Sequence, residues 1–500
     1  MGYYMKMRQE DLLIHRLQEY GNTNMYPFHM PGHKRAGDME FPDPFTVDIT
    51  EIEGFDNLHH PEGILKNSME WAARLYGADQ TWYLVNGSSS GIISAVCGAV
   101  PRGGRILVSR NCHKSVYHGI YLNQLKASYV YPQELPGLGI QGGITAEDVD
   151  RMLKRYMDTQ AVLIVSPTYD GVVSDIRGIA LVVHTAGLPL IVDEAHGAHF
   201  RYGEMFPASS LELGADVVIQ SVHKTMPSLT QTALLHLKNN RPDGGCYADR
   251  SRIDRYVHMI QTSSPSYVLM ASIENSIFRM EQMDLGPYGD RLLKLRKRLG
   301  EMKHLRLVDT DIVGTCGVFD LDRSKVVVST QRLKPFMTGA DLKDILRMKY
   351  HLEMEMCGAD YVTAITTVMD SQEGMERLGD ALLEIDSRPE SFRNEFYRDV
   401  AAPVYNGSIY SIKCDTAMTI AAAMDCPMDT IRLKESAGYI SGEFIYLYPP
   451  GIPIVVPGEW ISRQALSIIL EYIDKKLPVQ GTDDPSLTYI RVVKKTYERG

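Results

Sequence analysis

The hydrophobic positions of this chain form a repeating pattern between residues 80 and 240. Short apolar runs rich in β-branched residues recur there, and most are separated by stretches long enough for a helix. The runs predicted as strands are 81–85, 105–108, 127–131, 161–165, 190–192, 215–219 and 233–237. Because strands that alternate with helices pair in parallel, the pattern predicts an α/β fold with a mostly parallel central sheet covered on both faces.

Beyond about residue 266 the pattern turns helical, and from about 306 it becomes a shorter α+β pattern. A chain of 500 residues is also longer than one hydrophobic core usually supports. We therefore expect four parts: a Pro-, Gly- and His-rich N-terminal arm or interface segment (1–60), a large domain (61–305), a small α+β domain (306–389) and a C-terminal domain (390–500).

Composition excludes several classes of protein. Hydrophobic residues make up 44% and charged residues 23%, as in ordinary globular proteins, and the net charge of −10 argues against a nucleic-acid partner. Seven scattered cysteines without a CxxC pair favour reduced thiols over a disulfide framework or a zinc site. No metal is expected at His29 and His33 either, because Pro31 between them breaks the helix that would align them. Without a signal peptide or a membrane-length apolar run, we expect a cytoplasmic protein with no membrane partner.

Two of the predicted strands are followed by polar residues that are expected to lie at the same edge of the sheet. Asp193 follows the run 190–192, and Lys224 ends the segment Ser221-Val222-His223-Lys224 after the run 215–219. In such sheets ligands bind at the carboxyl ends of the strands, so both side chains are expected at one edge. A lysine and a carboxylate placed there are suited to pyridoxal phosphate, whose aldehyde the lysine bonds and whose ring nitrogen the carboxylate faces. Taken singly, Lys224 also fits a surface lysine and Asp193 a helix cap.

A serine-rich turn, Asn86-Gly87-Ser88-Ser89-Ser90-Gly91, follows the first strand of this pattern and opens an apolar helix. The free N–H groups of a helix N-terminus and the short hydroxyls fit a phosphate group. The alternative is an ordinary serine N-cap without a ligand. The turn lacks both the lysine of a P-loop and the GxGxxG spacing, which leaves ATP and NAD little support.

Two further residues are candidates for the chemistry. His113 lies just beyond a strand end, where its ring could stack on the cofactor and transfer a proton near neutral pH, or simply form a loop hydrogen bond. Glu459 follows Gly458 at the start of a helix predicted over 459–477, where the helix dipole favours an ionised carboxylate. We expect Glu459 to bind a basic substrate tail, with a capping role as the alternative.

In combination, these segments resemble the Orn/Lys/Arg decarboxylase family, whose members use pyridoxal phosphate on the aspartate aminotransferase fold (fold type I). The resemblance extends in order over nearly the whole chain. It is carried by residues 28–34 (FHMPGHK), 84–91 (LVNGSSSG), 166–171 (SPTYDG), 193–199 (DEAHGAH), 221–225 (SVHKT), 448–453 (YPPGIP) and 457–459 (PGE).

The resemblance implies roles for particular residues. Lys224 would bond the cofactor, Asp193 would pair with its ring nitrogen, and His113 and Ala195 would pack on the two ring faces. His196 would lie close by, and the phosphate would be surrounded by Ser88, Ser89, Ser90, Ser221 and His223.

The resemblance also implies an activity. The expected reaction is decarboxylation of a basic amino acid by a homodimer or a dimer of dimers with active sites at the subunit interface. Arginine to agmatine in polyamine synthesis is the first choice, and lysine to cadaverine or ornithine to putrescine are the alternatives. An aminotransferase or lyase on the same fold is a different class that remains open. A cofactor-free regulator is disfavoured because Lys224 and Asp193 are both present.

Overall fold

The computed structural model describes residues 12–36, 41–333, 337–392, 412–447, 452–474, 477 and 479–495. In these residues the helices are α1 Leu13–Gly21, α2 Pro44–Val47, α3 Ile64–Tyr76, α4 Gly87–Ala99, α5 Lys114–Leu122, α6 Ala146–Arg155, α7 Ile176–Thr185, α8 Val222–Thr225, α9 Arg250–Ile260, α10 Tyr267–Gln282, α11 Gly286–Leu299, α12 Gly339–Tyr350, α13 Gln372–Ser387, α14 Ile420–Asp425 and α15 Arg463–Asp474. The strands are β1 Tyr26–Phe28, β2 Gln80–Leu84, β3 Arg105–Ser109, β4 Lys126–Val130, β5 Thr159–Val165, β6 Val172–Val173, β7 Leu190–Asp193, β8 Val217–Gln220, β9 Ala233–Leu237, β10 Arg306–Leu307, β11 Asp320–Leu321, β12 Lys325–Ser329, β13 Leu352–Met354, β14 Met356–Cys357, β15 Tyr361–Ile365, β16 Met428–Arg432, β17 Ile445–Leu447, β18 Ile452–Val455, β19 Val479–Gln480 and β20 Tyr489–Val493.

The central sheet has seven strands in the order β2-β9-β8-β7-β5-β3-β4. Strand β9 is antiparallel to both neighbours, and the other pairs are parallel. All seven predicted strands are present, which confirms the expected α/β fold with a mostly parallel sheet. Because β7 and β8 are parallel neighbours, their carboxyl ends meet at one edge.

Helices cover both faces of this sheet. Successive residues of β5 point to opposite faces: Val162 and Ile164 pack in the cluster that includes α3, α7 and α10, whereas Leu163 packs in the cluster that includes α4, α5 and α9. A strand buried on both faces needs apolar residues at every position, which is why the run appeared continuously apolar in the sequence. Helix α3 ends at Gly77, which takes the left-handed conformation with φ of 69° that glycine adopts without strain.

A second, antiparallel sheet has the order β10-β12-β15-β14. One of its faces packs against α12 and α13, and side chains such as Val326, Leu342 and Leu378 extend the same apolar cluster that covers the central sheet. The N-terminal segment contributes β1, which pairs in parallel with β13. Part of the predicted arm therefore lies against the small-domain part of the same chain.

The C-terminal segment forms its own apolar cluster around α15 and the sheet β18-β17-β19. The helix predicted over 459–477 begins at Arg463, so Glu459 does not lie at a helix N-terminus. Of the segment 448–453, which carries part of the resemblance, residues 448–451 lie outside the described residues. The boundaries at 61, 306 and 390 stay a prediction. Among the helices of the described ranges, none combines the length and apolarity that a bilayer crossing requires.

Candidate active site

The edge where β7 and β8 end brings together the predicted lysine and carboxylate. Asp193 is the last residue of β7, and Lys224 lies in the single turn α8 that follows β8. Burial lowers the pKa of Lys224, and the charge of Asp193 opposes that shift. Burial likewise raises the pKa of Asp193, and Lys224 opposes it. A buried lysine with a lowered pKa supplies the neutral amine that acts as a nucleophile.

These two residues line a cavity of about 490 Å³. Eight of the ten residues predicted to bind the cofactor line it: Ser88, Ser89, His113, Asp193, Ala195, His196, His223 and Lys224. They come from the ends of β2, β3, β7 and β8, which are far apart in sequence but meet at one edge of the sheet. The structure thus places most of the predicted set around a single space.

The other two predicted residues, Ser90 and Ser221, lie behind this lining. The Ser90 hydroxyl donates to the carbonyl of Gly87 at 2.7 Å within the first turn of α4. The Ser221 hydroxyl donates to the Ser88 hydroxyl at 2.7 Å. Direct phosphate contact is therefore not indicated for Ser90, whereas Ser221 orients a hydroxyl that does face the cavity.

The N-terminus of α4 suits an anion. Asn86 precedes helix α4 but its side chain makes no capping bond. The first backbone N–H groups of α4 are therefore not occupied by this side chain. Ser88 and Ser89 lie in that first turn and face the cavity. Free amides, hydroxyls and the positive end of the helix dipole together fit a phosphate group.

His113 is the N-cap of α5, and its Nδ1 accepts from the Ser115 N–H at 3.2 Å, which leaves the hydrogen on Nε2. Burial, followed by the charge of Lys224, lowers the pKa of His113 to about 3. The ring is therefore neutral near pH 7. The expected proton transfer by His113 near neutral pH is not supported by this environment, whereas a flat neutral ring remains suited to stacking.

His196 and Lys224 are in direct contact, with Nε2 and Nζ 3.0 Å apart. The ring of Tyr169 lies 4.5 Å from the ring of His196, centroid to centroid. Burial, with Lys224 adding to it, lowers the pKa of His196 well below its ordinary value. A neutral imidazole at this position can orient the lysine amine by a hydrogen bond.

Sequence reasoning missed Met30 and Glu355, which also line the cavity. The Met30 N–H donates to Glu355 Oε2 at 2.8 Å, and the Tyr169 hydroxyl donates to Glu355 Oε1. The Gly32 N–H donates to the carbonyl of His223 at 2.7 Å, which holds the N-terminal loop on the Lys224 turn. A Cβ at Gly32 would lie 2.6 Å from the carbonyl oxygen of Met226, so only glycine permits this approach.

No local signal singled out Glu355. It occupies a polar position in the alternating stretch 352–356, where a solvated carboxylate is the ordinary interpretation. The fold instead places it at the cavity.

Glu459 is the clearest correction to the predicted site. Its Oε1 and Oε2 accept from Arg110 Nη1 and Nη2 at 2.7 and 2.9 Å, and Oε2 also accepts from the Val456 N–H at 3.0 Å. The Glu459 side chain is 1% exposed, and it is absent from the cavity lining. Because Arg110 neutralises this carboxylate, the structure gives no support to its predicted contact with the substrate.

Replacing Glu459 by glutamine is expected to destabilise the protein without changing its preference among basic amino acids. The substitution leaves Arg110 buried without its counter-charge, and loss of one partner of a buried ion pair costs about 3 kcal/mol. Urea unfolding measures this loss. The control is Glu376→Gln, whose exposed pair with Lys294 is worth at most about 1 kcal/mol. A changed preference at unchanged stability would restore Glu459 as a substrate residue.

The cavity fits pyridoxal phosphate. It offers an amine at Lys224, a carboxylate at Asp193 and an anion site at the N-terminus of α4. It also contains buried polar atoms without a hydrogen-bond partner among the described residues, including Asn111 Oδ1 and His196 Nδ1. Such atoms are rare in native interiors unless a ligand or water meets them.

Solved structures share the fold of this chain. The crystal structure of the Francisella novicida lysine decarboxylase matches with a TM-score of 0.73 and 18% identity over 96% of this chain and 80% of that chain. A Bacillus subtilis ureidoglycine-glyoxylate aminotransferase matches with a TM-score of 0.54 and 14% identity over 76% of this chain and 96% of that chain. The fold is that of the fold type I enzymes.

The family model of the Orn/Lys/Arg decarboxylase major domain matches residues 12–328, and that of the C-terminal domain matches residues 403–478. The chain therefore belongs to the Orn/Lys/Arg decarboxylase family and is a pyridoxal-phosphate-dependent decarboxylase. The arginine decarboxylase of Bacillus subtilis (strain 168) is 33% identical over 97% of this chain and 98% of its own length. The constitutive lysine decarboxylase of Escherichia coli (strain K12) is 23% identical over 85% of this chain and 69% of its own.

Proposed function

We propose that this protein decarboxylates arginine to agmatine and CO₂. The observation that carries the proposal is that Lys224, Asp193 and the carboxylate of Glu355 line one cavity. The first two suit the cofactor, and the third suits a cationic side chain. The similarity over nearly the full length to an arginine decarboxylase supports arginine over the other basic amino acids.

Different residues of the cavity would bind different parts of the cofactor. Lys224 would hold the cofactor's aldehyde carbon, Asp193 its ring nitrogen, and the N-terminus of α4 with Ser88 its phosphate. The bound cofactor supplies an electron sink for the pair left behind when CO₂ departs. His196 Nε2, in contact with Lys224 Nζ, orients the amine by a hydrogen bond. Asp193 and His196 are buried, and burial strengthens the electrostatic contacts of such groups.

Glu355 is the carboxylate we assign to the substrate's guanidinium group. Its two oxygens are held by the Met30 N–H and the Tyr169 hydroxyl, and each oxygen keeps a lone pair for a further donor. A planar guanidinium pairs with a carboxylate through two parallel N–H···O bonds. The assignment replaces Glu459, whose oxygens already form this arrangement with Arg110.

Replacing Glu355 by glutamine is expected to lower kcat/KM for arginine roughly 10- to 100-fold, the scale of a hydrogen bond between charged groups, and mainly through KM. Steady-state kinetics with arginine measure the effect. The matched control is Glu353→Gln, two residues away, because Glu353 pairs with Arg347 on the surface. An unchanged KM in the Glu355 variant would contradict the assignment.

The experiment that tests the function incubates the purified protein and pyridoxal phosphate with arginine, lysine or ornithine, and identifies the products. Agmatine with CO₂ is the expected result. Cadaverine or putrescine as the main product would establish the alternative substrates, of which lysine has support from the more distant lysine decarboxylase relatives. A keto acid without CO₂ would indicate an aminotransferase, and failure to take up the cofactor would indicate a regulator.

We also propose that the N-terminal surface binds a second copy of the chain. Helix α1 has no buried residue, and its side chains Leu13, Ile14 and Leu17 are 72%, 55% and 57% exposed. Phe45 is 95% exposed. Exposed apolar side chains grouped in one segment favour a protein interface. Sedimentation velocity is expected to give a dimer or a larger even assembly, and a monomer at micromolar concentration would contradict it.

A cytoplasmic location and a role in polyamine synthesis complete the proposal. All seven cysteines lie in the described ranges and none is in a disulfide, which agrees with a reducing compartment. Agmatine is an amine that polyamine-forming enzymes can consume, so the product connects the activity to that route.

A further inference from the structure

Gln141 is 2% exposed and lines the candidate active-site cavity. Its side-chain oxygen Oε1 nevertheless has no hydrogen-bond partner within the described ranges. An amide oxygen buried without a donor is uncommon in native proteins and calls for an explanation. A ligand that brings an N–H group into the cavity would supply the missing donor.

The backbone holds Gln141 firmly in this position. Gln141 forms a bridge with Glu134, the Gly142 N–H donates to the Gln133 carbonyl at 2.8 Å, and the Gly143 N–H donates to the Cys316 carbonyl at 3.0 Å. Residues 141–143 are thus held both by residues 133–134 and by Cys316 in the segment before β11. An amide presented from such a loop is preorganised, which favours a binding role over an adaptable surface role.

Gln141 and Glu355 line the same cavity, and each is adjacent in the chain to a member of one apolar cluster. Their chain neighbours Ile140 and Met356 are buried in one apolar cluster. Tyr169 packs against that cluster too, and its hydroxyl donates to Glu355. The same apolar cluster therefore supports the two chain segments that bring an amide oxygen and a carboxylate to the cavity.

We propose that Gln141 is a specificity-determining residue whose amide oxygen accepts an N–H of the substrate's guanidinium group beside Glu355. The inference rests on the proposed function. A guanidinium has five N–H donors in a plane, so a carboxylate that takes two of them leaves others for a second acceptor. The ammonium of lysine or ornithine carries all three of its donors on one nitrogen, so two acceptors can share it only if both converge on that single point, whereas the guanidinium presents donors on separate nitrogens to acceptors that lie apart.

The test replaces Gln141 by leucine, which keeps the approximate size and removes the acceptor. The kcat/KM for arginine is expected to fall about 10-fold or more, while that for lysine changes little, because a hydrogen bond to a charged donor is lost for arginine alone. Calorimetric binding of agmatine is expected to weaken by a similar factor, and binding of cadaverine to stay the same.

The matched control is Gln80→Leu. Gln80 Oε1 is also buried without a partner among the described residues, but Gln80 lies on β2 and does not line the cavity. Its substitution is expected to leave the arginine-to-lysine ratio unchanged. Should Gln141→Leu fail to fold, Gln141→Asn, which keeps the amide but withdraws it, carries the same expectation.

The outcomes separate this inference from the proposed function. A wild-type protein without activity on arginine would refute the function itself. Activity on arginine with an unchanged ratio and unchanged agmatine affinity in the Gln141 variants would overturn the inference alone. An equal loss for every substrate would also overturn it, because it would indicate a structural role.

Discussion

Replacing Lys224 by alanine is expected to abolish decarboxylation. The substitution removes an amine that lines the cavity and contacts His196. Burial lowers the pKa of this amine. Turnover should fall by a factor on the order of 10³ or more, the scale on which loss of a covalent nucleophile acts. The near-visible absorbance band of the lysine-bound cofactor should disappear with it.

The measurement combines a spectrum of the cofactor-loaded variant with a product assay. Lys114→Ala is the control, because Lys114 is exposed at the start of α5 and does not line the cavity. Its variant should keep both the band and the activity. If the Lys224 variant retained the absorbance band together with full turnover, another lysine would have to be the one that bonds the cofactor.

Replacing Asp193 by alanine is expected to lower turnover by roughly 10²- to 10³-fold, the cost of removing one preorganised electrostatic group from an active site. A carboxylate at this position would keep the ring nitrogen of a bound cofactor protonated, which is the state in which the ring accepts electrons. The effect grows as charge develops in the reaction. Affinity for the cofactor should therefore fall by a smaller factor than turnover.

Asp193→Asn distinguishes charge from packing. The asparagine amide has the same size as the carboxylate but no negative charge. The asparagine variant should therefore lose nearly as much turnover as the alanine variant. Titration with pyridoxal phosphate gives the affinity, and single-substrate kinetics give the turnover. Undiminished turnover in both variants would refute the proposed role of Asp193.

Much of the fold, and the meeting of the candidate cofactor residues at one sheet edge, followed from local sequence. Runs such as 161–165 are apolar at every position because both faces of β5 are covered, and this burial is visible in the sequence before any tertiary contact is known. Polar residues that end such runs must lie at the sheet edge because strands in this sheet are parallel. That geometry is why Asp193, Lys224 and the serines at the start of α4 could be placed together.

The electrostatic state of the site was not accessible in the same way. His113 was expected to exchange protons near neutral pH, but burial lowers its pKa to about 3. Desolvation depends on every atom packed around a group, and those atoms come from distant parts of the chain. A sequence motif identifies the side chain but does not determine its pKa, and so does not determine its protonation state.

The sequence alone was sufficient for the α/β class, the family and the residues suited to pyridoxal phosphate, since each depends on patterns within short segments. The substrate end of the cavity depended on three-dimensional folding. Arg110 pairs with Glu459 across 349 residues of sequence, so that carboxylate is not free to bind a substrate. The fold also brings Gln141 and Glu355, which are far apart in sequence, to the lining of one cavity. Pairing of buried charges and convergence of distant loops are properties of the packed chain, and no local pattern encodes them.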